Sequence, residues 1–236
     1  MNLALDFGNT FAKAGLFEGS MLQKVITDVK LDHLPDIVGT YAPDNIIISS
    51  VSVKPSDIVS RLGGEGALIL RHDIPLPFKI AYKTPDTLGL DRIAAVAGAQ
   101  EMLPGANCLV IDTGTCFTYD LLDSQGIYHG GGISPGIKMR FQALHTFTAN
   151  LPLINFEEET PLIGQSTKGS ILSGVVNGTI AEITEIIRQY CDKFADLQII
   201  MCGGDAKFFE NRLKASIFAA PELVLRGLNR ILLYNV

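Results

Sequence analysis

Asp6-Phe7-Gly8-Asn9-Thr10 and Asp112-Thr113-Gly114-Thr115 are two versions of one arrangement, set 106 positions apart in a chain of 236 residues. Each follows an apolar run that reads as a strand, residues 2–7 in the first copy and 108–111 in the second. Each is followed by a return strand (residues 11–17 and 117–122), a second turn (Glu18-Gly19-Ser20 and Asp123-Ser124-Gln125-Gly126) and a third strand (residues 21–26 and 127–133). An aspartate at a strand end with glycine two residues later is a specific combination. The glycine removes the side chain that would keep a phosphate away from backbone N–H groups. Asn9 and Thr10 add neutral donors at the first turn. A carboxylate facing phosphates requires a cation and its waters between them. One such turn alone is equally a common β-turn formula; the second copy, in the same strand context, favours the phosphate reading. Two such turns facing each other across a cleft would grip a triphosphate from both sides.

The repeat divides the chain into an N-terminal half, residues 1–105, and a C-terminal half, residues 106–236, with Pro104-Gly105 at the seam. No Gly/Ser linker separates them, so the final helices are expected to pack back across the boundary. Helices are expected over residues 31–41, 55–62, 91–103, 136–148, 166–192, 205–213 and 221–234, and further strands over 46–48, 67–70 and 197–202. Residues 150–165 read as loop. Asp91 stands where an N-cap belongs. The fold class is α/β: two duplicated domains, each a mixed sheet flanked by helices.

With 47% hydrophobic residues the chain has ample material for packed cores. The net charge of −6 and the lack of a basic face exclude nucleic acid as the main partner. Cys108, Cys116, Cys191 and Cys202 form no CxxC pair and read as reduced thiols; the four histidines show no metal-ligand spacing. No unbroken run approaches 18 apolar residues and no leader is visible, so no membrane span and a cytoplasmic location are expected. There is no G-x-x-x-x-G-K-[ST] motif. Gly63-Gly64-Glu65-Gly66 lacks the spacing of a dinucleotide fingerprint and reads as a loop.

Paired strand-end DxG turns in duplicated domains resemble the actin-like ATPase and sugar-kinase superfamily, whose domains are RNase H-like. Within it the chain resembles the type III pantothenate kinases along nearly its whole length. The matching elements, in order, are Asp6-Phe7-Gly8-Asn9-Thr10, Gly89-Leu90-Asp91-Arg92, Asp112-Thr113-Gly114-Thr115, Gly131-Gly132-Ile133-Ser134-Pro135-Gly136 and Gly164-Gln165-Ser166-Thr167. The resemblance implies ATP-dependent phosphorylation of pantothenate. It implies ATP binding by Asp6, Gly8, Asn9, Thr10, Lys13, Gly114 and Thr115, with Mg2+ organised by Asp6 and a monovalent cation (K+ or NH4+) at Asp112. Asp91 is implied as general base. Tyr82, Gly89, Leu90, Asp91, Arg92 and Thr167 are implied as pantothenate contacts, and Gly203-Gly204 as the adenosine-side turn. A homodimer is implied as well, with the helix around residues 171–187 supplying an interface; its apolar positions Ile171, Val175, Ile180, Ile183 and Ile187 read equally as core.

Local alternatives accompany each residue. Asp91 as a helix cap and Arg92 as a solvated side chain, Lys13 as an exposed strand lysine, Tyr82 as a half-buried loop aromatic and Thr167 as a cap are all consistent with their neighbours. Another small-molecule kinase of the superfamily, or a regulatory relative without kinase activity, are the competing functions. The intact Asp6, Asp91, Arg92 and Asp112 speak against the latter.

Overall fold

The computed structural model describes residues 1–63 and 66–236; the loop expected around Gly64 and Glu65 lies outside the described residues. The chain opens with the strand–turn–strand–turn–strand that its first residues predict. The strands are β1 (Asn2–Phe7), β2 (Ala12–Glu18) and β3 (Met21–Thr27). A single 3-10 turn, Leu31–His33, leads into α1 (Leu34–Tyr41), which stops at Ala42 in the left-handed conformation. Then come β4 (Asn45–Ser50), α2 (Pro55–Arg61) and β5 (Ala67–Ile69). Pro55 sits at the first position of α2, where its missing N–H has no intrahelical partner to lose. A two-residue strand, β6 (Lys79–Ile80), precedes α3 (Leu90–Met102).

The pattern then returns as β7 (Cys108–Thr113), β8 (Cys116–Leu122) and β9 (Ile127–Pro135). After α4 (Ile137–Thr146) residues 150–165 carry no regular element, as expected. The long helix expected next is real but not uniform. It comprises α5 (Thr167–Leu172), a π-helical turn over Ser173–Asn177, and α6 (Gly178–Cys191). β10 (Gln198–Cys202), α7 (Ala206–Glu210), β11 (Ile217–Ala219) and α8 (Leu223–Asn235) complete the chain. β6 and β11 have no counterpart in the sequence reading. At two and three residues they exist only because β9 and β10 offer them ladder partners.

The strand orders expose the duplication more plainly than the motifs do. One sheet runs β3-β2-β1-β4-β5, the other β11-β10-β7-β8-β9-β6. Read from its other end, the second is β9-β8-β7-β10-β11 with β6 added outside β9, the same order as the first. In both, the strand that carries the aspartate near its end is central and pairs in parallel with the strand that follows a crossover, β4 for β1 and β10 for β7.

Two compact units result: Met1–Ala106 with Leu121–Gly130 and Glu222–Val236, and Asn107–Asp120 with Gly131–Pro221. The first unit's core on one face of its sheet gathers Leu3, Leu5, Leu16, Leu34, Ile37 and Ile58. Helix α8 returns to this unit and packs on α3 and β1. A chain of buried and half-buried amides anchors it. Asn45 Nδ2 donates to Asn2 Oδ1 (3.1 Å), Asn2 Nδ2 to Asn229 Oδ1 (3.0 Å), and Asn229 Nδ2 to Gly19 O (2.9 Å). Each buried amide thus finds the partner that burial demands.

In the second unit Ile171, Val175, Ile183 and Ile187 all belong to the core, with Ile180 packed against it. Of the two readings of this apolar stripe the core reading holds. The whole stretch Thr167–Cys191 spans 25 residues and by length and composition alone would suit a bilayer, although no unbroken apolar run in it approaches 18 residues. The burial of its apolar stripe accounts for that composition.

Candidate active site

In the first unit Asp6 is the last but one residue of β1. Register places Lys13 of β2 opposite it on one side and Ser49 of β4 on the other, so the three share one face of the sheet. The corner after Asp6 is pinned from below. The Phe7 carbonyl accepts hydrogen bonds from Val51 N–H (3.0 Å) and Ser52 Oγ (3.2 Å). With that carbonyl occupied, Gly8, Asn9 and Thr10 turn outward, Asn9 and Thr10 exposed. Lys13 is half-buried rather than a fully exposed strand lysine.

Gly89 and not Asp91 is the N-cap of α3, and this corrects the sequence assignment. Asp91 stands at the second helical position, exposed, and its Oδ1 accepts the Arg92 backbone N–H at 2.9 Å. A Cβ at residue 89 would lie 2.5 Å from that carboxylate oxygen, so glycine makes room for it. A carboxylate in the first turn is also favoured by the helix dipole. The correction matters chemically: the carboxylate is not committed to capping.

Arg92 is 5% exposed, which rules out a solvated side chain. Its guanidinium lies 5.9 Å from the Tyr82 ring centroid, and Tyr82 stacks on Tyr128 at 6.5 Å and 11°. Gly130, with φ +90°, lets the chain pass under that ring: a Cβ there would meet Tyr82 Cδ2 at 2.7 Å. The structure therefore brings together Tyr82, Gly89, Leu90, Asp91 and Arg92, residues that sequence order alone only strings along a line.

In the second unit Asp112 is half-buried near the end of β7, and three glycines close around its corner. A Cβ at Gly114 would lie 2.9 Å from Asp112 Oδ1, and one at Gly203, where φ is +92°, would lie 2.5 Å from the same oxygen. A Cβ at Gly136 would lie 2.3 Å from the Thr115 carbonyl. Thr113 Oγ1 donates to the Cys202 carbonyl (2.8 Å) and Asp205 N–H to the Thr113 carbonyl (3.2 Å), fixing the Gly203-Gly204 turn against the Asp112 corner. Burial holds the Asp205 carboxyl above its ordinary value, with Lys138 opposing.

The Gly136 contact explains part of the Gly131–Gly136 motif, and Gly131 explains more. Its Cβ would fall 1.5 Å from the Tyr119 carbonyl, so only glycine lets β9 lie so close to β8. Ser134 and Pro135 are held by Arg140, whose guanidinium donates to Ser134 Oγ (2.8 Å), to the Pro135 carbonyl (2.7 Å) and to Glu182 Oε2 (2.6 Å). Tyr119 donates to the other oxygen of Glu182 at 3.0 Å. Burial alone would raise the Glu182 carboxyl. The hydrogen bonds from Arg140, Ser134 and Tyr119 outweigh it and hold the group below its ordinary value. Arg140, Glu182 and Asp205 are absent from the sequence reading. Arg140 and Glu182 lie 42 positions apart, and no local spacing signals their pairing.

Thr167 opens α5 as its first residue. The cap is made by Ser166, whose Oγ accepts from Gly169 N–H at 3.1 Å. Gly164 lets the preceding loop lie on the helix start, since a Cβ there would come within 2.2 Å of Ser170 N.

Among the described residues no group of three or more His, Cys, Asp or Glu side chains surrounds a metal position. The available donors are single strand-end carboxylates beside glycine corners. That set fits Mg2+, which keeps several waters and is held by one or two carboxylates plus substrate phosphates.

Two mixed sheets of one strand order, each with its central aspartate corner and flanking helices, make up the actin-like sugar-kinase fold. A glucokinase from an Antarctic psychrotroph superposes with a TM-score of 0.53 at 11% identity, over 98% of both chains. A structure assigned to the Baf family of transcriptional activators, from Campylobacter jejuni, superposes with a TM-score of 0.65 at 23% identity, over 97% of this chain and 96% of that one. At those identities the likeness speaks for the fold alone. The sequence comparisons go further: the model of the type III pantothenate kinase family matches residues 2–189, and a type III pantothenate kinase of Cytophaga hutchinsonii is 44% identical over the full length of both chains. This chain belongs to the type III pantothenate kinase family.

Proposed function

We propose that the chain transfers the γ-phosphate of ATP to the primary hydroxyl of pantothenate, giving ADP and 4′-phosphopantothenate, the first step of coenzyme A biosynthesis. The observation that carries this reading is the Gly89–Arg92 corner. An exposed carboxylate, free of capping duty, directly precedes a buried guanidinium that lies over Tyr82. Asp91 accepts the hydroxyl proton as the alcohol oxygen attacks phosphorus. Phosphoryl transfer has a loose transition state, so orienting that oxygen matters at least as much as removing its proton. Arg92, Tyr82, Gly89, Leu90 and Thr167 hold pantothenate, the cationic side chain serving its carboxylate.

In the same reading the Asp6 turn, with Gly8, Asn9, Thr10 and Lys13, and the Asp112 turn, with Gly114 and Thr115, both serve the ATP phosphates. Asp6 would hold Mg2+ through its waters, and Asp112 would hold a monovalent cation, K+ or NH4+. Mg2+, when bound, offsets charge on the phosphoryl group. The halves 1–105 and 106–236 are proposed as the duplicated domains, and a cytoplasmic homodimer as the working form.

The test is ADP release measured with ATP, Mg2+ and K+, with and without pantothenate. Release that depends on pantothenate is the expected result. Release indifferent to pantothenate, or driven by a hexose instead, overturns the assignment.

Because Ser166 makes the cap, Thr167→Ala leaves the start of α5 intact. The variant is expected to raise the KM for pantothenate by about tenfold, the loss of one hydrogen bond to a charged group. The KM for ATP should stay unchanged. A change confined to ATP would contradict the placement of Thr167.

A further inference from the structure

We infer that Ser49 is a positioning residue for the Asp6 carboxylate, which rests on the reading of Asp6 as the magnesium-side carboxylate of the nucleotide site. Ser49 is 1% exposed, and its Oγ has no hydrogen-bond partner among the described residues. A buried hydroxyl left unpaired is costly, and in native proteins each such group calls for an explanation.

Its neighbours make the case specific. Ser50 Oγ donates to the Val53 carbonyl (2.6 Å) and accepts the Val53 N–H (3.1 Å). Ser52 Oγ donates to the Phe7 carbonyl. Two of the three serines between residues 49 and 52 thus fasten the turn after β4 and the corner after β1. Ser49 fastens nothing in the free protein.

Register says what it faces. Asp6 and Ser49 are paired on adjacent parallel strands, about 4.8 Å apart on the same face. Four residues back on that face the equivalent pair is Asn2 and Asn45, and there the side chains do meet, at 3.1 Å. Side chains from these two strands therefore reach each other across the ladder. Lys13, on the opposite flank of Asp6, completes a row of cation, carboxylate and hydroxyl.

The hydroxyl of Ser49 donates to Asp6 when Asp6 engages the hydrated Mg2+ of the nucleotide. It holds the carboxylate in one rotamer and supplies, on the protein side, a donor that water cannot deliver to a buried position. Its unpaired state in the free protein is the counterpart of that role.

The experiment compares Ser49→Ala, Ser49→Thr and Asp6→Asn in the full chain. Thermal unfolding is followed alone, with ATP, and with ATP across a Mg2+ titration, since a ligand that binds only the native state raises the midpoint in proportion to its affinity. Ser49→Ala alone should unfold no lower than the parent, because it removes an unpaired buried hydroxyl. The Mg2+ concentration that gives half of the ATP-dependent stabilisation should rise about tenfold, the effect of one hydrogen bond to a charged acceptor. Ser49→Thr, which keeps the hydroxyl, should retain parental Mg2+ dependence. Parental Mg2+ dependence in Ser49→Ala, with the ATP effect lost in Asp6→Asn, overturns this inference and leaves the proposed function standing. Full ATP stabilisation in Asp6→Asn overturns the reading of Asp6 and this inference with it. A lowered midpoint of free Ser49→Ala also overturns it, by revealing a structural partner.

Discussion

Asp91→Asn is expected to lower turnover of pantothenate by about a hundredfold or more, within the range set by losing a positioned general base. The unfolding midpoint should stay close to that of the parent. The second half of this expectation comes from the structure. Had Asp91 been the N-cap of α3, its replacement would have removed a cap worth about 1 kcal/mol and confused folding with chemistry. Gly89 occupies that position instead. The Asp91 carboxylate accepts the next backbone N–H, and an asparagine carbonyl oxygen accepts that bond equally well. What remains is a first-turn charge worth about 0.3–1 kcal/mol. Steady-state kinetics beside a thermal scan reads both quantities. Turnover within a fewfold of the parent would show that another group takes the proton.

Gly227→Ala is expected to destabilise the first unit strongly. A glycine inside α8 looks like a weak helix former, and on propensity alone alanine would gain about 1 kcal/mol. Packing decides the sign. A Cβ at residue 227 would lie 1.6 Å from the Ala94 carbonyl oxygen and 2.8 Å from Gly98 N, and a Cβ at Gly98 would lie 2.3 Å from the Leu223 carbonyl. The two helices cross backbone to backbone, so the clash meets main chain and no flexible side chain can yield. Overpacking typically costs about 1–3 kcal/mol, and a clash with unyielding main chain puts this one at the top of that range. For a chain of this size that corresponds to a midpoint lowered by about 10 °C. Gly39→Ala in α1 is the control: among the described residues no atom beyond its own stretch of helix backbone lies within 4 Å of its Cβ, so it should be neutral or slightly stabilising. A midpoint for Gly227→Ala at or above the parent's would refute the close crossing. The consequence reaches the site, because α3 carries Asp91 and Arg92 in its first turn and α8 is its main support.

Much of this was legible in the sequence, for a definite reason. Strands β1, β2 and β3 and their copies β7, β8 and β9 are short apolar runs separated by Gly, Asn and Ser turns, and both features are local. The Asp6 and Asp112 corners were readable for the same reason. The stripe Ile171, Val175, Ile183 and Ile187 was readable as a stripe, but periodicity says only that one face is apolar. That it turns into the core of the second unit required the neighbours that cover it. Asp91 went to the wrong helical position because its preference for N-caps is a statistical tendency, and Gly89 is what the backbone at that turn uses.

By itself, then, the chain's order of residues determined two matched strand–corner–strand units, their carboxylates and glycines, and through them the family and its chemistry. Tertiary structure alone decided that α8 crosses α3 at Gly98 and Gly227, that Gly203 and Gly114 flank Asp112, that Arg140 reaches Glu182, and that Ser49 is buried without a partner among the described residues. The physical reason is distance along the chain. Local pattern sets backbone geometry and which face seeks burial, whereas the partners that fill that face come from segments tens to hundreds of residues away. Only the packed molecule shows which glycines must be glycine and which hydroxyl is left waiting.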